Sequence, residues 1–170
     1  YDNYLKTGPY DFGFPSLPDK AEFFPYQQGL LVNYRDPSFG DNNESQHPGG
    51  GLVLPLDSHP DPIYTLDGTP WRGRIQTYDA PFSLRKADSF TLHNQVTGKA
   101  SYIRGQAGQP LFDDTRSYWN AALPYVGVKT PKVGVTMRVV QQDGTSMRVR
   151  IGVSTSSTAQ LNGAATSSTR

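Results

Sequence analysis

Short stretches that mix aliphatic and β-branched residues, each bounded by turn formers, recur along this chain. Residues 29–36 (GLLVNYRD) and 52–57 (LVLPLD) are two such stretches, and they predict β-strands. Between them, residues 37–51 contain the runs DNNE and HPGGG, a composition that favours turns over a regular ladder. The sequence therefore predicts a hairpin with a long polar loop, and such loops often carry binding groups.

The most regular alternation lies further along the chain. Residues 133–140 and 147–153 alternate apolar and polar positions on either side of an Asp143-Gly144 pair, which tolerates the positive φ of a tight hairpin turn. The apolar positions that share one face are Val135, Met137, Val139, Met147, Val149, Ile151 and Val153. Because a two-stranded ribbon is not stable alone, this face must pack on further strands.

The remaining pattern also favours strands over helices. We predict further short strands at residues 71–78, 90–93, 100–103 and 111–115, and a helical turn or two only at residues 117–123. The 17 glycines and 14 prolines interrupt helical hydrogen bonding throughout. The fold class predicted is all-β, an antiparallel β-sandwich or jelly-roll-like domain with long loops and little helix.

The length of 170 residues suits one domain. We assign it to residues 1–153, with residues 1–26, rich in Pro, Gly and aromatic rings, wrapping a sheet edge. Residues 154–170 are rich in Ser, Thr and Ala and read as a tail. The chain starts at Tyr1 instead of Met, which suggests a piece of a longer protein.

Charge and composition exclude several classes of function. The formal net charge is +1, so no overall field attracts nucleic acid, and we expect no nucleic-acid partner. No apolar run approaches the roughly 18 residues of a membrane-spanning helix, so no membrane span is expected. The chain has no cysteine, which removes disulfides, thiolate metal ligands and a cysteine nucleophile.

The histidines offer little obvious catalytic chemistry. None of His47, His59 and His93 is followed by Glu, so the His-Glu-x-x-His zinc motif is absent. Asp57, Ser58 and His59 suggest a catalytic triad, which we reject because neighbours on a strand point to opposite faces. His47 and His59 could still meet across the hairpin with Asp57 as metal ligands, and the alternative is that they are hydrogen-bonded structural residues.

The loop between the first two predicted strands offers hard oxygen donors of the kind that calcium binds. Candidate calcium ligands are Asp36, Asp41, Asn42, Asn43 and Glu44. Their order does not fit an EF-hand loop. The alternative is a solvated loop stabilised by Asx turns.

Aromatic residues suggest a second type of site. Rings exposed on a β-sandwich could bind glycans, and the candidates are Trp71, Trp119, Tyr10 and Tyr26, with the core as the alternative location. A glycosidase would need paired carboxylates, for which Asp79 and the Asp113-Asp114 pair are candidates, but the sequence gives no separation to test.

A series of short motifs, taken in order, resembles a known family. The motifs are GLLVNY at 29–34, DN at 41–42, HPG at 47–49, DSHP at 57–60, DAPFSL at 79–84 and LFDD at 111–114. They resemble the region after the catalytic domain of immune inhibitor A, a family of secreted bacterial zinc metalloproteases. The opening LKTGPY at 5–10 and the richness in Ala, Gly and Arg suggest its actinobacterial branch.

The resemblance implies an accessory β-sandwich module of a secreted, calcium-stabilised protease. The family's zinc ligands lie in an upstream domain and have no counterpart among these residues, so the resemblance gives this chain no catalytic residue and no required cofactor beyond a candidate calcium. Zinc would belong to the parent catalytic domain. The partners implied are that catalytic domain in the same chain and protein substrates, and the location implied is extracellular. The alternative function is a carbohydrate-binding module.

Overall fold

The computed structural model describes residues 26–64, 66–68, 70, 78–93 and 99–153, and the structural statements below concern these residues. They contain β-strands joined by turns and loops, without a helix. All pairings between the strands are antiparallel, and the predicted all-β class is confirmed. The strands are β1 (Asn33–Arg35), β2 (Val53–Pro55), β3 (Phe90–His93), β4 (Ala100–Ile103), β5 (Leu111–Asp113), β6 (Val135–Asp143) and β7 (Ser146–Val153).

The first predicted hairpin is confirmed. Strands β1 and β2 pair with Tyr34 opposite Leu54. Backbone bonds extend the pairing on one side to residues 36 and 52 and on the other to Leu56, whose N–H donates to the Val32 carbonyl at 2.8 Å. The long polar loop lies between the two strands, as its turn-forming composition predicts.

A third segment joins this hairpin to the rest of the molecule. Leu30 and Phe82 exchange two backbone hydrogen bonds of 2.9 Å, and the Ser83 amide donates to the Gln109 carbonyl at 3.0 Å. Beyond Gln109, the Pro110 carbonyl accepts a 2.8 Å bond from Val139 on β6. Backbone hydrogen bonds therefore connect the first hairpin, the segment 80–83 and the sheet containing β6.

Strands β5, β6 and β7 form a three-stranded sheet with β6 in the middle. Gly144 makes the β6–β7 turn with φ of 49°, as the Asp-Gly signal predicts. A register shift between Val139 and Gln141 places Met147 opposite Gln142, which the strict alternation did not predict. The predicted apolar face is covered unevenly, because Val139 is 1% exposed whereas Ile151 is 70% exposed.

The core lies between the first hairpin and the three-stranded sheet. Phe82 is 1% exposed, and its ring packs edge-on against Phe112 and Tyr118, with centroids 5.7 and 6.0 Å away. The buried cluster consists of Val32, Leu54, Leu56, Phe82, Phe112, Tyr118 and Val128. The sandwich or jelly-roll arrangement stays a prediction, as does the division into residues 1–153 and a tail.

The helical turns predicted at residues 117–123 are wrong. Tyr118 instead forms an antiparallel bridge with Val128, whose amide donates to the Tyr118 carbonyl at 2.9 Å. The Asn120 side chain then accepts the Ala122 amide at 2.9 Å, and Pro124, which has no N–H, lies two residues after Ala122. The local Asx bond and the proline favour successive turns over a helix.

Several predictions fall outside the described residues. The predicted strand at 71–78 retains only Tyr78, the aromatic segment at 1–26 retains only Tyr26, and the tail at 154–170 is not described. Among the residues that the structure does describe, we find no helix with the length and hydropathy needed to cross a membrane.

Candidate metal centre

Two segments about twenty positions apart meet at the end of β2. After β2, the Ser58 amide donates to the Ala80 carbonyl at 2.9 Å. The same segment also exchanges backbone hydrogen bonds with Leu30 through Phe82. The chain after β2 therefore runs beside the segment that begins at Tyr78. The backbone thereby brings Asp57 and His59 next to Asp79.

The side chains of Asp57, His59 and Asp79 form a compact cluster of metal-ligating groups. One ligand atom from each residue lies within 4.8 Å of the others. The His59 Nδ1 atom lies 3.0 Å from the Asp79 carbonyl oxygen and 3.5 Å from the Asp79 Oδ2 atom. Asp57 is held by its Oδ1 atom, which accepts the His59 backbone N–H at 2.8 Å.

The cluster is largely removed from solvent. Asp79 is 3% exposed and Asp57 is 9% exposed, and the His59 side chain is 14% exposed. The other ring nitrogen of His59, Nε2, lies 2.9 Å from the Ala107 carbonyl oxygen. Both ring nitrogens of His59 are thus close to oxygen atoms of other segments of the chain.

Tyr78 borders the same cluster. Burial raises the pKa of its phenol, and the negative charges of Asp79, Asp57 and Asp88 raise it further. Its ring packs edge-on against Phe90 with centroids 4.3 Å apart. Tyr78 therefore stays a neutral phenol at physiological pH and adds no charge to the cluster.

Two cavities give access to the cluster. One has a volume of about 300 Å³ and the other about 240 Å³, and both are lined by His59 and Asp79. Arg85, Lys86 and Asp88 line the larger cavity, so its wall carries charged side chains of both signs. Both volumes lie at or below the lower end of the 300–1,000 Å³ that drug-sized ligands typically occupy, and they are large enough for a hydrated ion.

The geometric reason given above for rejecting a triad is wrong, although the structure still offers no activated serine here. Ser58 and His59 lie in a bend beyond β2, where strand alternation does not apply, and the Ser58 Oγ atom is 3.0 Å from the His59 Nδ1 atom. Ser58 is 8% exposed, and its hydroxyl donates toward the carbonyl oxygens of Asp79 and Pro81 at 2.9 and 3.2 Å. This bonding suits a structural hydroxyl better than a nucleophile.

Sequence reasoning placed two members of this cluster together as possible metal ligands and did not place Asp79 with them. It considered Asp57 and His59 with His47, whereas the structure groups them with Asp79. Asp79 was singled out only as a candidate glycosidase carboxylate. Its nearness to His59 depends on the pairing of two distant segments, which no local pattern in the sequence reveals.

The first part of the predicted calcium loop consists of Asx turns. The Asp36 Oδ1 atom accepts the Ser38 amide and hydroxyl at 2.9 and 2.6 Å, and these bonds lower the pKa of Asp36. Asp41 accepts the Asn43 amide at 2.8 Å and the His47 Nε2 atom at 2.9 Å, which lower the pKa of its carboxyl. Each carboxylate thus already has partners within its own turn.

The other three loop candidates face different surroundings. The Asn42 Oδ1 atom accepts the Val53 amide at 2.8 Å, and the Asn43 Oδ1 atom accepts the Ser45 hydroxyl at 2.5 Å. Glu44 is 5% exposed, and burial raises its pKa to about 7, against smaller opposite effects of the Gly49 amide and His47. Within the described ranges, the acidic and histidine side chains of this loop do not form a three-residue cluster of the kind found around His59.

Calcium binding by the loop stays a prediction that thermal unfolding can test. If the loop binds calcium, the chain should melt at a higher temperature in millimolar calcium than in a calcium chelator, because a ligand that binds only the folded state stabilises it. The increase should disappear in Asp41→Asn and persist in Asp113→Asn, whose carboxylate makes a similar turn with Thr115. Superimposable melting curves in calcium and in chelator would count against the loop site.

The glycan-binding candidates are only partly described. Trp119 is half-buried, its Nε1 atom donates to the Pro124 carbonyl at 3.0 Å, and the Lys129 ammonium lies 4.2 Å from its ring centre. Tyr26 is also half-buried, whereas Trp71 and Tyr10 lie outside the described residues. The Trp119 ring is thus already engaged by a cation, and glycan binding stays a prediction.

The fold and the cluster define a class of protein, an all-β domain with a buried histidine–carboxylate cluster. Comparison with known proteins gives its family. The family model of the VEG domain of immune inhibitor A-like metallopeptidases matches residues 1–151. The chain belongs to this family, and the resemblance noted from its motifs is confirmed.

Two curated relatives show the same relationship. The chain is 36% identical over 132 residues to immune inhibitor A of Bacillus thuringiensis subsp. alesti, and the aligned region covers 74% of this chain and 19% of the relative. It is 28% identical over 142 residues to pre-pro-metalloprotease PrtV of Vibrio cholerae serotype O1 strain M66-2, and the aligned region covers 78% of this chain and 14% of the relative. The chain thus spans less than a fifth of these relatives, and neither supports the predicted actinobacterial branch.

Proposed function

We propose that this chain is a non-catalytic accessory domain of a secreted zinc metalloprotease, and that it stabilises the catalytic domain in the same polypeptide or helps present protein substrates to it. One observation carries the proposal. The VEG-domain match spans residues 1–151, whereas the metalloprotease relatives extend far beyond the region they share with this chain. The sequence given also lacks His-Glu-x-x-His, so the peptidase chemistry and its zinc belong to another part of the parent.

The three-stranded sheet supports a packing role. Ile151 and Val153 on β7 are 70% and 67% exposed, although their partners on β6, Met137 and Val135, pack against the core. Aliphatic side chains that remain exposed on a strand favour contact with another apolar surface. The occupant that we propose is the catalytic domain of the same polypeptide, because the relatives carry most of their length outside the matching region.

The parent polypeptide provides the direct test. We expect the intact mass of the native secreted protein to exceed that of this chain severalfold. We also expect peptide sequencing to find His-Glu-x-x-His upstream of Tyr1. A native polypeptide whose N-terminus lies near Tyr1 would overturn the accessory role, because no upstream catalytic domain would then be present for this domain to serve.

A proteolysis assay on the chain itself provides the control. The purified 170-residue chain, supplied with zinc, should not cleave casein, while the complete native protein should do so in a chelator-sensitive manner. Zinc-dependent and chelator-sensitive cleavage by the isolated chain would show that it has catalytic residues of its own and would contradict the proposal.

A further inference from the structure

Oxygen atoms of Ser58 and Asp79 surround the Nδ1 atom of the His59 ring. A neutral imidazole has one N–H donor and one acceptor nitrogen. If Nε2 donates to the Ala107 carbonyl at 2.9 Å, then Nδ1 carries the lone pair. Nδ1 then faces the Ser58 hydroxyl at 3.0 Å, the carbonyl oxygen of Asp79 at 3.0 Å and the Asp79 Oδ2 atom at 3.5 Å. The lone pair on Nδ1 and the Asp79 carboxylate can therefore bind one metal cation together with Asp57.

The distances match a coordination shell. With metal–ligand bonds of about 2.0–2.2 Å, neighbouring donor atoms lie roughly 3.0–3.5 Å apart in tetrahedral or octahedral geometry. The distance that joins two of the candidate ligand atoms, from His59 Nδ1 to Asp79 Oδ2, is 3.5 Å. The carboxylate of Asp57, whose ligand atom is within 4.8 Å of the others, supplies a further donor.

The second ring nitrogen provides an independent indication. A histidine that binds a metal usually donates its other ring N–H to a carboxylate or a backbone carbonyl, which fixes the tautomer and the ring orientation. The Nε2 contact of His59 with the Ala107 carbonyl has this form. It also connects the ring to a loop that is 48 residues away along the chain.

We propose that Asp57, His59 and Asp79 bind one first-row transition-metal cation of the zinc type. An imidazole nitrogen with two carboxylates favours such an ion over calcium, which prefers six to eight oxygen ligands. The cation would fasten the bend after β2 to the segment that begins at Tyr78 and, through the His59 ring, to the loop at Ala107. It is a structural clamp within this domain and is independent of the accessory function proposed above.

Zinc titration of the metal-free 170-residue chain tests the proposal. We expect isothermal titration calorimetry at pH 7.5 to show one equivalent of Zn²⁺ bound at least about tenfold more tightly than Ca²⁺. His59→Gln and Asp79→Asn should each weaken zinc binding by at least about tenfold. His47→Gln is the matched control, because His47 also lies beside an aspartate but is outside the cluster, and it should bind zinc as the unmodified chain does.

A nitrogen NMR experiment on the unmodified chain keeps the test valid if a variant fails to fold. Zinc should shift the His59 Nδ1 resonance to a metal-bound position and leave Nε2 protonated. If zinc changes neither ring-nitrogen resonance of His59, this residue does not bind the ion and the proposal falls. Zinc binding that is lost in His47→Gln but retained in a folded His59→Gln variant would also overturn it.

Discussion

Replacing Phe82 by alanine is expected to lower the free energy of unfolding by about 3–5 kcal/mol, the usual cost of removing a buried phenyl ring. Phe82 is 1% exposed, and it makes edge contacts with Phe112 and Tyr118 from the three-stranded side of the core. Its backbone also exchanges two hydrogen bonds with Leu30. The ring therefore fills the space between the hairpin and the sheet. Its removal leaves a cavity that the surrounding side chains can fill only in part.

Urea unfolding, followed by tryptophan fluorescence and circular dichroism, measures this effect. Phe82→Leu should cost less than Phe82→Ala, because it restores much of the volume. Leu66→Ala is the control at an exposed position, since Leu66 is 81% exposed, and its effect should stay within about 0.5 kcal/mol. If Phe82→Ala changes stability no more than Leu66→Ala does, the assignment of Phe82 to the core is wrong.

The stability of the chain is expected to fall as the pH rises from about 5 to 8, mainly because of Glu44. Burial raises the pKa of Glu44 from 4.5 to about 7, so in this range the folded state binds more protons than the unfolded state. The protonated carboxyl of Glu44 makes its full contribution to the free energy of unfolding below pH 4.5, and this contribution is lost as the pH rises through 7. At 1.36 kcal/mol for each pKa unit, the change amounts to about 3 kcal/mol. The Gly49 amide and His47 offset only part of this cost.

Glu44→Gln isolates this effect, because glutamine has nearly the same shape and does not titrate. In chelator-treated buffers, the variant should match the unmodified chain near pH 5 and be more stable than it at pH 8. Urea unfolding at the two pH values provides the measurement. A wild-type chain that is equally stable at both, or a Glu44→Gln variant with the full pH dependence, would contradict the assignment.

Other titratable groups of the loop determine the pH dependence of stability that remains in the Glu44→Gln variant. The Gly50 carbonyl and Asp41 raise the pKa of His47, so its contribution is present below its ordinary pKa of 6.5 and is lost as the pH rises. This residual dependence has the same sign as that of Glu44. The pKa values of Asp36 and Asp41 are lowered, so their contributions decrease only as the pH falls below about 4 and do not affect the measured window.

Local signals in the sequence determined the strands and the turn that the structure confirms. The alternation around Asp143-Gly144 predicted the β6–β7 hairpin, since strand alternation and a positive φ at glycine depend on a few adjacent residues. The composition of residues 37–51 predicted the long loop after β1 for the same reason. The helical turns at 117–123 failed because Tyr118 pairs with Val128 ten residues later, and this partner is invisible to local propensity.

The chemistry of the domain was decided by tertiary structure. Asp79 reaches His59 only because backbone hydrogen bonds align two segments some twenty residues apart, and Ala107 joins them from still further along the chain. Likewise, a glutamate in a polar loop is expected to be solvated, yet the fold leaves Glu44 only 5% exposed. The sequence by itself determined the all-β class, the two hairpins and the family resemblance, because these follow from local order. Burial and the meeting of distant charges depend on long-range packing, which only the folded structure specifies.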